Sequence, residues 1–236
     1  MDVVQLGLML ILGGGVWMAV RRMVLLRRCG CLVPAQRLYR RCAWWMGLGV
    51  WGMMLAQEGI LLLSGQLSLR TGLPLHLCSA LGVMSLPMLL SRKEWLWHTS
   101  LYLSLPGALL ALLFPAIAPT PWPQLTAFTF HGMHVMVFLA PLLPLGLGMC
   151  PRPLGAAQAW LTLLLLGGAA LAANMLLGSN YLFLAYPVEG TPLTLLARFG
   201  LWPYRLTLAG LAGVMLAVLA GIVYGLSLGK GHRRRM

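Results

Sequence analysis

Acidic residues are nearly missing from this 236-residue chain: four Asp and Glu stand against 17 Lys and Arg, and charged residues make up only 9% of it. A soluble domain carries roughly 25% charged residues. No soluble fold of this length could hide a composition that is 60% hydrophobic, so part of the solvent must be lipid. The five cysteines offer no disulfide framework, because Cys29, Cys31, Cys42 and Cys150 lie in or beside basic segments assigned below to the cytoplasm, where thiols stay reduced. Cys29-Gly30-Cys31 has no second metal-binding pair and so makes a poor zinc motif. Repeats and low-complexity segments are lacking, and the length suits one bundle with short loops rather than two domains. The chain also lacks the positive start of a cleavable signal, its only early charge being Asp2. Val3 to Val20 is therefore expected to remain as a helix.

The net charge of +13 does not point to nucleic acid. The basic residues fall in short clusters between apolar runs, the placement that orients a protein in a membrane. Membrane phospholipids, and anionic headgroups in particular, are the partners it implies. A crossing helix needs about 20 apolar residues for ~30 Å of hydrocarbon. Seven stretches qualify: 3–20, 43–63, 73–91, 99–117, 128–148, 154–177 and 206–228. The expectation is an all-α polytopic bundle, with 230–236 as a basic tail. Ala118-Pro119-Thr120-Pro121-Trp122-Pro123 separates the fourth and fifth stretches, since no helix runs through such a segment. Asn180 to Tyr204 is too mixed to span and is read as a long loop.

Fourteen of the 17 basic residues fall in alternate connections and the C-terminal tail; Arg70, Arg198 and Arg205 lie on the other side. This asymmetry puts the N-terminus outside and the C-terminus in the cytoplasm, and only an odd number of spans preserves the alternation. Trp44, Trp45, Trp95 and Trp97 then fall at the inner interface, and Trp122 and Trp202 at the outer one.

Ionisable groups inside a span are costly and usually functional or paired. The candidates are Gln57 and Glu58 on the second helix, His76 and Cys78 on the third, His131 and His134 on the fifth, and Asn174 and Asn180 at the end of the sixth. At 1.5 Å per residue, Glu58 lies ~21 Å up from Trp44, Cys78 ~7–8 Å below the outer edge and His134 ~9 Å below it. Four helices thus bring their rare polar groups to one layer near the outer leaflet. Each has a plain structural alternative. Glu58 could be a protonated interhelical bonder and Cys78 a small buried residue. His131 and His134, three apart on one face, could pack, and Asn174 could bridge helices. His76 and Cys78 point about 200° apart on a regular helix, so both serve one site only where the turn after Pro74 is irregular. His76, His131, His134 and Glu58 are also acceptable zinc ligands, which keeps a metal-dependent intramembrane lipid hydrolase open. A non-enzymatic cavity for lipid or solute is the third reading.

Gln57-Glu58, Leu73-Pro74-Leu75-His76-Leu77-Cys78, His134 with Pro141, Asn174 with Asn180-Tyr181, and Trp202-Pro203-Tyr204 resemble the bacterial YwaF-type integral membrane proteins over about residues 44–225. The His-x-Cys and His-Val-Met…Pro patterns are similar to a eukaryotic family of multi-span acyltransferases that move fatty acyl chains onto lysophospholipids, including ether lipids. The resemblance implies a bacterial cytoplasmic membrane protein, Cys78 as nucleophile, His134 as base and no cofactor. His131 is not required by the pattern and leaves the base assignment open. In the chemistry so implied, Glu58 would orient the imidazole, and Asn174 or Asn180 would donate to an oxyanion. His76, Gln57 and Tyr181 would be supporting residues.

The charge asymmetry makes a direct prediction. Alkaline phosphatase fused after residue 66, 119 or 188 should be active, and fused after residue 92 or 151 inactive. The reverse pattern would invert the assigned orientation.

Overall fold

The computed structural model describes residues 3–117, 119–187 and 193–233. Among them there are only helices and connections. The elements are α1 (Val3–Arg28), α2 (Leu32–Leu63), α3 (Leu77–Ser91), α4 (Glu94–Leu113), α5 (Pro123–Leu139), α6 (Leu143–Gly146), α7 (Gly155–Leu177), α8 (Leu193–Leu196) and α9 (Leu201–Arg233). A tight 3-10 turn at Ala140–Leu142 joins α5 to α6, and the pair crosses as one unit, Pro123–Gly146. Six of the described helical units are long and apolar enough to span a membrane; α3, with 15 residues, is the shorter seventh. The all-α polytopic bundle read from the sequence is the observed architecture.

Helix ends depart from the apolar stretches in a consistent way. α1 continues to Arg28 and α2 already starts at Leu32, so the cluster from Arg21 to Arg41 rides on two helices joined by a turn at Gly30 rather than on a loop. Hydropathy marks where hydrocarbon ends, not where hydrogen bonding ends, and arginine is a good helix former. α4 starts at Glu94 rather than at 99, with the carboxylate in its first turn, where the helix dipole favours it. α5 starts at Pro123 rather than at 128, and proline suits a first helical turn. α9 starts at Leu201 rather than at 206, so Trp202, Pro203 and Tyr204 are helical and not part of the preceding loop. The expected 230–236 tail is helical to Arg233; residues 234–236 lie outside the described residues.

α4 and the α5–α6 unit sit in the middle, while α1, α7 and α9 turn most of their surface outward. α2 packs on α3 and α5, α4 packs on α3, α5 and α7, and α9 packs on α7. The α1–α2, α3–α4 and α6–α7 connections share one end, with Arg27, Arg28, Arg92, Lys93 and Arg152; it is called the basic end below. The segments 64–76, 114–117, 119–122, 178–187 and 193–200 make up the opposite end.

Two apolar clusters fill the interior. Met23, Tyr39, Met46, Met88, Leu89, Trp97 and Leu143 pack near the basic end. Val50, Cys78, Leu81, Tyr102, Met133, Val137 and Leu216 form the second cluster. The Trp97 indole donates to the Pro141 carbonyl at 2.8 Å, satisfying an acceptor released where the helix tightens. Helices approach closely at glycine. A Cβ on Gly47 would lie 3.1 Å from the Leu86 Cα, so α2 and α3 meet almost backbone to backbone, as small residues allow in membranes. Gly47→Val should force these helices apart and destabilise the protein by about 1–3 kcal/mol, seen as a lower thermal midpoint in detergent.

Candidate functional site

Helix α5 carries two imidazoles in a fixed orientation. His131 Nδ1 lies 2.6 Å from the Ala127 carbonyl and His134 Nδ1 lies 2.7 Å from the Phe130 carbonyl. A carbonyl can only accept, so each Nδ1 carries the proton and each Nε2 keeps a lone pair. The Phe130 ring stacks on His134 at 4.1 Å between centroids and packs edge-on against His131 at 5.3 Å. Both residues are buried, and His131 Nε2 is fully enclosed without a partner. The backbone thus sets both histidines in the tautomer a general base needs.

Cys78 is the second residue of α3 and is 8% exposed. It belongs to the apolar cluster that holds Met133 and Val137, residues that flank His134 along α5. Neither imidazole hydrogen-bonds to the thiol. The expected helix start at residue 73 is corrected: α3 begins at Leu77, and His76 is the N-cap residue in extended conformation, with φ −77° and ψ 147°. Leu73 precedes Pro74, which disfavours helical geometry there. His76 and Cys78 therefore escape the opposed directions a regular helix would impose. The half-buried His76 ring packs 5.3 Å from both Tyr181 and Phe183.

Gly132 faces the Met53 side chain, and Met53 is five residues, or ~7–8 Å, along α2 from Glu58. The α5 imidazoles consequently lie below the Glu58 carboxyl. Glu58 makes no hydrogen bond and sits beside Gly72, where an added Cβ would be 3.2 Å from its Oε2. It does not orient either imidazole, because Ala127 and Phe130 already hold both Nδ1 atoms. Gln57 is half-buried and makes no hydrogen bond either. Among the described residues no three His, Cys, Asp or Glu side chains gather as a metal site requires, which leaves the zinc alternative without support.

Asn174 and Asn180 are spent on the backbone. Asn174 Nδ2 donates to the Tyr181 carbonyl at 3.0 Å, and its Oδ1 accepts from Ser179 Oγ at 2.8 Å and the Tyr181 N–H at 2.7 Å. Asn180 Nδ2 donates to the Tyr186 carbonyl, while its Oδ1 accepts from the Ala185 and Tyr186 N–H groups. Each amide thus commits its Oδ1 and one of its two Nδ2 hydrogens to this loop. Together they hold a turn in which Leu182 and Phe183 both adopt positive φ, 53° and 57°, a conformation costing about 1–2 kcal/mol per residue.

The residue that joins the two irregular segments is Tyr181, with no exposed surface. Its hydroxyl donates to the Leu69 carbonyl at 2.8 Å and accepts the Leu73 N–H at 3.0 Å. Burial raises its pKa above the ordinary tyrosine value, which keeps the phenol protonated for this double role. Tyr204 and Arg205 complete the clamp by donating to the Phe183 and Leu184 carbonyls, each at 2.8 Å. Sequence reasoning had Tyr181 only as a supporting residue and passed over Tyr204 and Arg205, since bonds between residues 21 to 112 positions apart leave no local signal. Tyr181→Phe should leave the Leu73 N–H unpaired and lower stability by about 1–3 kcal/mol, with faster proteolysis of segments 64–76 and 178–187. An unchanged thermal midpoint and cleavage pattern would count against the clamp.

Comparison with known proteins agrees with the membrane reading. No curated protein and no solved structure matches the chain. The sequence pattern of one family does, over residues 3–223, nearly the whole bundle and every candidate site residue. It is not the YwaF name that the short motifs suggested: the chain belongs to the TMEM164 family.

Proposed function

We propose that this protein transfers fatty acyl chains between phospholipids within the membrane, with Cys78 as nucleophile and His134 as base. The observation that carries the reading is the burial of Cys78 at the start of α3, in one apolar cluster with the residues flanking His134, whose Nε2 lone pair is held ready by the Nδ1 bond to Phe130. Enclosed among apolar side chains, the thiol needs a base to give up its proton. The first-turn N–H groups of α3 have no side-chain cap. The positive end of that helix favours negative charge at the sulfur and at an adjacent oxyanion.

In the first step His134 Nε2 takes the thiol proton, and the sulfur attacks the ester carbonyl of a donor phospholipid. The carbonyl–oxygen bond breaks, a thioester forms on Cys78, and the proton passes to the departing lysolipid alkoxide. In the second step a lysophospholipid hydroxyl gives its proton to His134 and attacks the thioester carbonyl, releasing the thiolate, which recovers the proton. In this reading the clustering of Lys and Arg at one end supports a cytoplasmic basic end, so the chemistry would lie toward the extracytoplasmic leaflet of a bacterial cytoplasmic membrane. By this reading His131 is a second, structural imidazole, because its Nε2 is sealed.

Purified protein in mixed phospholipid nanodiscs should redistribute labelled acyl chains. Cys78→Ala should abolish this, and His134→Ala should lower the rate by about 10²–10⁴. Trapped wild-type protein should carry an acyl adduct on Cys78 by mass spectrometry. A folded Cys78→Ala protein with full turnover would rule out the covalent route, and bound lipid without any turnover would favour a lipid-binding protein instead.

A further inference from the structure

The basic end holds a cavity that the acyl-transfer reading does not use. It lies between α2 and the C-terminus of α3, has a volume of about 380 Å³, and is lined by Gln36, Tyr39, Arg40, Trp44, Leu90 and Arg92. Arg40 and Arg92 are exposed, and neither has an ion pair or a hydrogen bond from its guanidinium. The Tyr39 hydroxyl, buried at the back of the cavity, donates to the Leu89 carbonyl at 2.7 Å, which fixes α2 and α3 as its two walls.

Among the described residues no carboxylate pairs with these arginines. Of the chain's four carboxylates, Glu94 is bonded to Arg152 at 2.9 Å, and Glu58 is near the far end of α2. Asp2 and Glu189 belong to segments that the charge pattern assigns to the other side. Two unpaired guanidinium groups beside one cavity call for an anion from outside the chain.

Position identifies the anion. Arg40 is four residues, ~6 Å, beyond Trp44 along α2. Trp44 and Trp45 are largely exposed, as indoles at a membrane interface are. One turn further out is the phosphate level of a bilayer. Leu90 is exposed beside the two arginines and offers an apolar surface to an acyl chain. A guanidinium pair matches phosphate oxygens in a forked, bidentate way that a single lysine does not.

We infer that the groove between α2 and α3 at the basic end binds the phosphate headgroup of an anionic phospholipid, held by Arg40 and Arg92, with Trp44 against its glycerol backbone. This site is distinct from the Cys78 region and does not depend on acyl transfer.

The test uses the full chain in detergent, with native mass spectrometry and thermal shift. The probes are dioleoylphosphatidylglycerol, dioleoylphosphatidylcholine and inorganic phosphate. Phosphatidylglycerol should bind and raise the thermal midpoint, while phosphatidylcholine and inorganic phosphate should not. Arg40→Gln/Arg92→Gln should weaken phosphatidylglycerol binding about tenfold or more, whereas Arg21→Gln/Arg22→Gln, which removes the same charge from α1, should leave it within about twofold. Arg40→Lys/Arg92→Lys, which keeps the charge and the fold, should fall between. Equal losses in both glutamine pairs would mean diffuse surface attraction and overturn the site. Equal protection by phosphatidylcholine would overturn the anionic specificity, and equal protection by inorganic phosphate would assign the cavity to a free anion rather than a lipid.

Discussion

Hydrocarbon offers a peptide group no hydrogen-bonding partner, and most of this molecule follows from that. The six long apolar helical units and the shorter α3 are helical because only a helix satisfies its own backbone in lipid. Several hydroxyl side chains inside them turn back on the backbone: Ser104 bonds the Ser100 carbonyl, Thr129 the Leu125 carbonyl and Thr162 the Gln158 carbonyl, whereas the buried Thr99 and Ser100 hydroxyls have no partner. Where the chain leaves helical geometry, side chains from elsewhere match released groups. Trp97 serves the α5–α6 turn, and Asn174, Asn180, Tyr181, Tyr204 and Arg205 serve the segments at the opposite end. The polar residues most conspicuous in an apolar sequence are therefore divided. Some keep the backbone satisfied, and only the remainder are free for chemistry.

That division reshapes the candidate site. The asparagines and Tyr181 fold the cap over the bundle. Glu58 and His76 lie beneath it, with the His76 ring against Tyr181 and Phe183. Deeper, Cys78 and the α5 histidines sit in the second apolar cluster or beside it. The catalytic hypothesis thus rests on one thiol and one imidazole, Cys78 and His134. An acyl ester lies just below the phosphate layer of a bilayer, and a thiol at the start of a short helix that begins below its neighbours is suitably placed to reach it. Leu77, beside Cys78, packs against Gly107, six residues or ~9 Å short of the end of α4.

Charge follows a separate logic. The scarcity of carboxylates leaves most arginines of the basic end without an ion pair among the described residues, Arg152 with its Glu94 partner apart, which suits them to orienting the protein against a membrane surface. At the headgroup site proposed for Arg40 and Arg92 the same residues would serve both purposes. Orientation uses the sum of the charges, whereas a bound headgroup uses two of them at one spacing.

Much of the architecture was legible in composition and order. Apolar runs set the number of crossings, because the bilayer fixes a length that each must meet. Short connections set neighbouring helices antiparallel, and basic clusters set the expected orientation. The same reading singled out Cys78, His131 and His134, because polar groups in a span are rare enough to notice. Helix ends were less legible, since hydropathy reports the solvent around a residue and not its hydrogen bond. The roles of the polar residues were not legible at all. The bonds by which Asn174 and Asn180 hold the turn around Tyr181 are not visible in the sequence, and Tyr181 gains its role only when Leu69 and Leu73, more than a hundred positions away in the chain, are folded against it. Such assignments depend on which groups compete for the same hydrogen bond, and competition between distant segments exists only once they are packed together.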